Sequence, residues 1–284
     1  MARRTILITG ANTGIGAAAA RELAGPDVHL VLACRSEAKT TPVLEELRSK
    51  GATAEFLALD LGSIADAKRA AERFAERCDR LDVLIDNAGV AGHVGLTKDG
   101  FELAFGTNHL GHFAFTVPLL PLLERSAGRV VLVASGNHYR TDRIPWDALR
   151  TPGRGTALPQ YDVSKLANVL FAAELRRRHP KLGVVALNPG RIASDIWRRV
   201  PQPFRAIMRV VMRMKPVEFG GHTLVHAANV ELGPDAPLYF DKTVARAPNP
   251  AALDETLARE LWGFSERAVR EYASASRVDP DAIP

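Results

Sequence analysis

Six short apolar runs separated by longer amphipathic segments constrain this chain more than any other feature. Thr5–Thr9, Val28–Ala33, Ala54–Leu59, Val83–Ile85, Arg129–Ala134 and Val184–Asn188 are brief and rich in Val, Ile and Leu. Runs of that length, apolar without alternation, suit parallel strands buried on both faces. Between them Ile15–Ala24, Glu37–Ser49, Ile64–Arg77 and Val163–Arg178 carry helical periodicity. The β-α-β-α order predicts an α/β fold: one doubly wound, Rossmann-type parallel sheet of about seven strands, with helices on both faces. No fixed-period repeat and no Ser/Pro/Gly-rich linker divides the 284 residues, so the whole span 1–284 is expected to form one domain. Gly136–Pro159 reads as a long polar loop. The stretch 192–218 is irregular and contains Pro201, Pro203 and Pro216.

Composition narrows the function classes. With 46% apolar and 24% charged residues the chain is not disordered. A net charge of +5 suits acidic or phosphorylated ligands but is too small to imply nucleic-acid binding. Two cysteines, Cys34 and Cys78, fit neither a disulfide framework nor zinc spacing. A reducing, cytoplasmic setting follows. The start, MARRTILITG, lacks the apolar length of a signal peptide, and no run of eighteen apolar residues predicts a transmembrane segment.

The first strand leads into Thr9-Gly10-Ala11-Asn12-Thr13-Gly14-Ile15-Gly16 and then a helix. Gly10 permits a tight turn, and Gly14 and Gly16 let backbone approach a pyrophosphate, which the helix N-terminus attracts. Placed between strand and helix, the motif predicts dinucleotide binding. At the end of the second strand, Cys34-Arg35-Ser36 has no acidic residue for a ribose 2′-hydroxyl, whereas Arg35 offers a fork for a 2′-phosphate. NADP(H) is therefore expected over NAD, the alternative for Arg35 being a solvated strand end. Asp60 is either an acceptor for an adenine amino group or a turn residue ahead of Ser63.

Tyr161 and Lys165 are four apart, hence on one helix face. A nearby ammonium is expected to lower the phenol pKa and make Tyr161 an acid/base for a carbonyl or alcohol oxygen. Ser135 after the fifth strand and Asp86-Asn87-Ala88-Gly89 after the fourth fall at the carboxyl edge of the sheet, where such folds bind ligands. Asn108 lies in the following helix.

With these residues in place, the chain resembles the short-chain dehydrogenases/reductases, and more narrowly their retinol dehydrogenase-like, NADP-dependent branch. The likeness is carried by ITGANTGIG (8–16), LACRS (32–36), LDLGS (59–63), IDNAGVAG (85–92), TNHLGHF (107–113), YDVSKLANVLFAAEL (161–175), NPGRIASDI (188–196) and ELWGFSE (260–266). The resemblance implies a tetrad: Tyr161 as acid/base, Lys165 lowering its pKa and binding the nicotinamide ribose, Ser135 on the substrate oxygen, and Asn108 holding a water behind Lys165. It implies cofactor contacts from Gly10, Asn12, Thr13, Gly14, Ile15, Gly16, Arg35, Ser36, Asp60, Leu61, Asn87, Ala88 and Gly89. Pro189, Gly190, Ile192 and Ser194 would hold the nicotinamide end. Asp86 stands where the family has asparagine, and Arg191 is an unusual charge after Pro189-Gly190. The implied activity is hydride transfer between NADP(H) and a small-molecule carbonyl or alcohol. The alternatives are a non-catalytic NADP sensor or an enone reductase. Related proteins pair through helices near 101–125 and 159–179, so a homo-oligomer is possible, although the loop before Tyr161 could obstruct it.

His109-x-x-His112 and His222-x-x-x-His226 have helical spacings, but no metal site is expected. In Phe204–Lys215, Arg205, Arg209 and Arg213 face away from Phe204, Ile207, Met208, Val211 and Met214. That pattern reads as a substrate lid within 192–218, with membrane or partner contact and core packing as alternatives. Arg176-Arg177-Arg178 reads as a solvated helix end.

Overall fold

The computed structural model describes residues 3–193, 214–233 and 235–275. Strand β1 (Arg4–Thr9) shows why both sheet faces must be covered. Side chains alternate along a strand, and here Ile6 and Ile8 enter one apolar cluster while Leu7 enters the other. The same division recurs in β2 (Val28–Cys34), β4 (Val83–Asp86) and β5 (Arg129–Val133), with Leu84 and Val130 on one side and Ile85 and Val131 on the other. With β3 (Thr53–Ala58), β6 (Gly183–Asn188), β7 (Tyr239–Asp241) and β8 (Val244–Ala245), the strands form one sheet in the order β3-β2-β1-β4-β5-β6-β7-β8. All pairings through β7 are parallel, and the two-residue β8 turns back antiparallel on β7. The sheet thus has the seven parallel strands expected plus one short edge strand.

Helices α1 (Gly14–Leu23), α2 (Glu37–Ser49) and α3 (Ile64–Arg77) follow the first three strands. After β4 a helical run, α4, covers 103–125, built from Leu103–Phe105, a π-turn at Gly106–Leu110, Gly111–Thr116, a 3-10 turn at Val117–Leu119, and Leu120–Arg125. Helix α5 (Leu158–Arg178) precedes β6, α6 (Val217–Asn229) precedes β7, and α7 (Glu255–Ala275) closes the described chain. The span 136–159 is not wholly loop: Gly136–Arg140 and Trp146–Ala148 are 3-10 turns, and α5 starts at Leu158.

Helix α7 explains where the surface of α4 and α5 goes. Trp262 meets Phe113 edge-on at 5.0 Å and Phe171 at 5.8 Å, while Phe264 meets Phe101 and Phe105. The surface of the helices at 101–125 and 159–179 is therefore covered in part by this chain's own α7. On the other side, α6 crosses α1 so closely that a Cβ on Gly221 would lie 2.6 Å from Ala18 Cβ, and one on Gly220 would lie 2.4 Å from Ile15. Among the described residues no helix is long and apolar enough to cross a membrane.

Candidate active site

The strand order reverses between β1 and β4, and a cleft of about 1260 Å³ opens at their carboxyl ends. Gly10 turns the chain after β1 with φ +68°, and a Cβ there would sit 2.9 Å from Ala88 Cα. The turn after β4 is fixed from the same place. Thr9 Oγ1 accepts the backbone N–H groups of Asn87 and Ala88, both at 2.9 Å, and lies 2.9 Å from His112 Nε2. The other ring nitrogen, Nδ1, is 2.9 Å from the Asn108 carbonyl, so it must be the donor. Nε2 then accepts the Thr9 proton. Burial, with a smaller contribution from Lys165, lowers the His112 pKa to about 4, so the ring is neutral at neutral pH. Thr9 and His112 have no contact with the cleft, and the motif residues alone did not identify them as its framework.

Gly14 has φ +59°, and no side chain caps α1 at Thr13. The first N–H groups of that helix are thus available to an anion. Gly10, Asn12, Thr13, Gly14, Ile15, Arg35, Asp60, Leu61, Asn87, Ala88 and Gly89 all line the cleft. Gly16 lies one layer back, where a Cβ would meet Asn87 Nδ2 at 2.5 Å, so its role is close packing of loop on helix. Ser36 also lies outside the lining; its carbonyl accepts Thr40 Oγ1 at 2.8 Å in the first turn of α2. Arg35 is exposed and forms no ion pair among the described residues. The Asp60 carboxylate carries Gly62 N–H at 3.0 Å and Lys98 Nζ at 2.9 Å while the residue lines the cleft.

At the other end of the cleft stand Ser135, Tyr161, Lys165, Pro189, Gly190 and Ile192. Ser194 and most of the 192–218 span, including Arg205, Arg209 and Arg213, lie outside the described residues. Tyr161 lies near enough to Ser135 for the serine hydroxyl to favour its ionised form, and Lys165 Nζ sits 5.5 Å from the Tyr161 ring centre while donating to Val133 O at 2.9 Å. Asn108, in the π-turn, is fully buried behind them: its Oδ1 accepts Val90 N–H, and its Nδ2 donates to Val90 O and Ser164 Oγ. A Cβ on Gly89 would lie 3.2 Å from Asn108 Oδ1 and 3.8 Å from Lys165 Nζ, so this glycine occupies the gap between them.

Burial pushes the Tyr161 pKa up to about 12, against the opposing effect of the nearby Ser135 hydroxyl. Burial likewise lowers Lys165 to about 7. Removing water penalises both charged forms. A protonated phenol beside a hydroxyl can donate two hydrogen bonds to one oxygen.

The paired histidines are turned to separate partners, with His109 Nε2 2.9 Å from Ser265 Oγ and His112 on Thr9 and Asn108. His222 Nδ1 is 2.8 Å from Glu22. Away from the cleft, ligand atoms of His29, Glu55 and Cys78 lie within 4.8 Å of one another, with His29 and Glu55 paired at 3.1 Å.

Residues 4–203 match the family profile described as short chain dehydrogenase. The chain is 38% identical to dehydrogenase/reductase SDR family member 13 of Homo sapiens, over 99% of its own length and 77% of that protein. It is 33% identical to retinol dehydrogenase 14 of Mus musculus, covering 93% of this chain and 85% of the relative. A solved structure from Mycobacterium paratuberculosis superposes with a TM-score of 0.74 at 34% identity, covering 95% of this chain and 94% of that one.

Proposed function

The chain belongs to the short chain dehydrogenase family, in its retinol dehydrogenase-like branch, and from that premise we propose that it transfers hydride between NADP(H) and a carbonyl or alcohol substrate. The observation that carries this reading is the convergence of Ser135, Tyr161 and Lys165 on the same cleft as the glycine loop, with Lys165 Nζ 5.5 Å from the Tyr161 ring centre. The residues fit such a cofactor: Gly10 and Gly14 line the cleft with positive φ, α1 begins there with no side-chain cap, and Arg35 lines it as well. When bound, the nicotinamide supplies or accepts the hydride.

In this reading Arg35 binds the 2′-phosphate, and the α1 N-terminus with Asn12, Thr13, Gly14 and Ile15 takes the pyrophosphate. Asn87, Ala88 and Gly89 line the adjoining ribose, Pro189, Gly190, Ile192 and Ser194 hold the nicotinamide end, and Lys165 holds its ribose. Tyr161, protonated at neutral pH, donates to the substrate oxygen; Ser135 donates to the same oxygen and stabilises its developing charge. Lys165, half protonated near pH 7, is placed to restore the proton. Asn108 keeps Gly89 and the Lys165 helix in register. Both cysteines are free thiols among the described residues, which fits a reducing, cytoplasmic setting.

A panel of aldehydes, ketones, enones and secondary alcohols, assayed with NADPH and NADH, tests the reading. Reduction of C=O groups with NADPH preferred is the expected result. Reduction confined to enone double bonds, or NADPH binding without turnover of any substrate, would overturn it.

A further inference from the structure

Asp162 follows Tyr161 in sequence, yet its side chain turns from the cleft to the neighbouring turn. It is 8% exposed, and its Oδ1 accepts a 2.5 Å hydrogen bond from Asn137 Nδ2. Asn137 belongs to the 3-10 turn Gly136–Arg140 that leaves β5 directly after Ser135. Its backbone N–H donates to Ser135 Oγ at 3.2 Å, and its Oδ1 weakly accepts the Ser135 hydroxyl at 3.5 Å. Ser135 is thus tied through Asn137 and Asp162 to the helix that carries Tyr161.

This tie constrains the Ser135 hydroxyl. A serine hydroxyl has one proton and two acceptor positions, and rotates about χ1. With the Asn137 N–H occupying one acceptor position and only a weak 3.5 Å acceptor in Asn137 Oδ1, Oγ is held in place while its proton stays free to meet a substrate oxygen. Other tethers of the turn, among them His138 Nδ1 on Ser135 O at 2.7 Å, Asn249 N–H on His138 Nε2 at 3.1 Å and Asn249 Nδ2 on His138 O at 2.8 Å, do not touch Oγ. The charged group facing Asp162 is Arg140, which stabilises its carboxylate, while burial raises the carboxyl pKa. An ionised acceptor makes the stronger clamp on an amide donor.

We propose that Asn137, clamped by Asp162, is a positioning residue that holds the Ser135 hydroxyl at a fixed distance from Tyr161, so that both O–H groups meet one substrate oxygen. The proposal rests on the carbonyl/alcohol reading above. Its effect is on turnover, because misplacing one of two converging donors weakens the stabilisation of charge that develops only during reaction.

The test compares Asn137→Ala, Asp162→Ala, Asn137→Asp and the exchange Asn137→Asp with Asp162→Asn, with Tyr161→Phe assayed alongside. Both alanine variants are expected to lose about 10- to 100-fold in kcat, with NADPH affinity and near-ultraviolet circular dichroism unchanged. Asn137→Asp alone sets two carboxylates together, so its activity should recover as pH falls. The exchange reverses donor and acceptor while keeping the bond, and is expected to restore most of the lost kcat. If Asn137→Ala does not fold, Asp162→Asn carries the test, since it keeps an acceptor and loses only the charge. Folded variants with wild-type kcat, or an exchange that recovers nothing, would overturn the clamp while an inactive Tyr161→Phe leaves the carbonyl reading standing. An active Tyr161→Phe would overturn both.

Discussion

Lys165 Nζ lies 5.5 Å from the centre of the Tyr161 ring, and both side chains are withdrawn from water, at 3% and 9% exposure. Desolvation holds the phenol protonated and takes the ammonium to the edge of deprotonation at neutral pH. The pair is thus built to give a proton to an oxygen before it takes one. Tyr161→Phe removes that proton and little else. The expected result is a fall in kcat of about 1000-fold with NADPH affinity retained, read by steady-state kinetics and fluorescence titration.

Arg35 reaches the cleft from the end of β2 with no ion-pair partner among the described residues. Replacing it with alanine should raise the KM for NADPH by roughly 10- to 100-fold, as expected for losing hydrogen bonds to a charged group. The KM for NADH should change far less. Equal losses for the two cofactors would assign Arg35 to the solvated strand end.

Asp86 and Lys165 should contribute two opposite steps to the pH dependence of stability without cofactor. Asp86, fully buried with Thr116 Oγ1 on one oxygen at 2.7 Å, has its pKa raised from 3.8 to about 7. The folded state therefore binds more protons than the unfolded chain between those values, and stability falls as pH rises from about 4 to 7. Lys165 is lowered from 10.5 to about 7, so the unfolded chain binds more protons above 7 and stability recovers toward pH 10. Each step is on the order of 5 kcal/mol at most. Buried His109 and His112, lowered to about 3 and about 4, add a rising contribution up to about pH 6.5, so each step is read as the difference in urea midpoint between wild type and variant across this range. Asp86→Asn should remove the falling contribution and Lys165→Met the rising one above pH 7.

Thr9→Val keeps shape but deletes an oxygen that serves Asn87 N–H, Ala88 N–H and His112. Leaving buried groups unpaired costs about 1–3 kcal/mol each, so a destabilisation of about 3 kcal/mol is expected by chemical denaturation. NADPH affinity should fall as well, because the turn after β4 loses its anchor. A variant with unchanged stability would show that Thr9 does not fix this turn.

How much of this was readable in advance follows from how local each feature is. Strands β1 to β6 were legible because buried parallel strands announce themselves as uninterrupted apolar runs, and the glycine loop because a turn's φ requirements are written in its own residues. Strand β7 has three residues, too few for any period to register, and α7 went unassigned although Leu257, Leu261, Phe264 and Ala268 recur at helical spacing. Tyr161 and Lys165 were identifiable by spacing, but their protonation was not: spacing reports proximity, while protonation depends on how much of the rest of the fold excludes water. Asn137 and Asp162 are 25 positions apart, and only the meeting of a turn with a helix makes them partners.

The contact between α6 and α1 reaches further than packing. Ile192 and Lys215 pair as a short bridge, and the Gly220 position brings Ile15 and Ile192 together within van der Waals reach. In the proposed reading Ile15 belongs to the loop that takes the dinucleotide, and the Ile192–Lys215 bridge lines the same cleft. Seating the nucleotide should therefore fix the bridge before the substrate arrives. Such an enzyme should obey compulsory-order kinetics, nucleotide on first and off last, and product-inhibition patterns of a random mechanism would refute it.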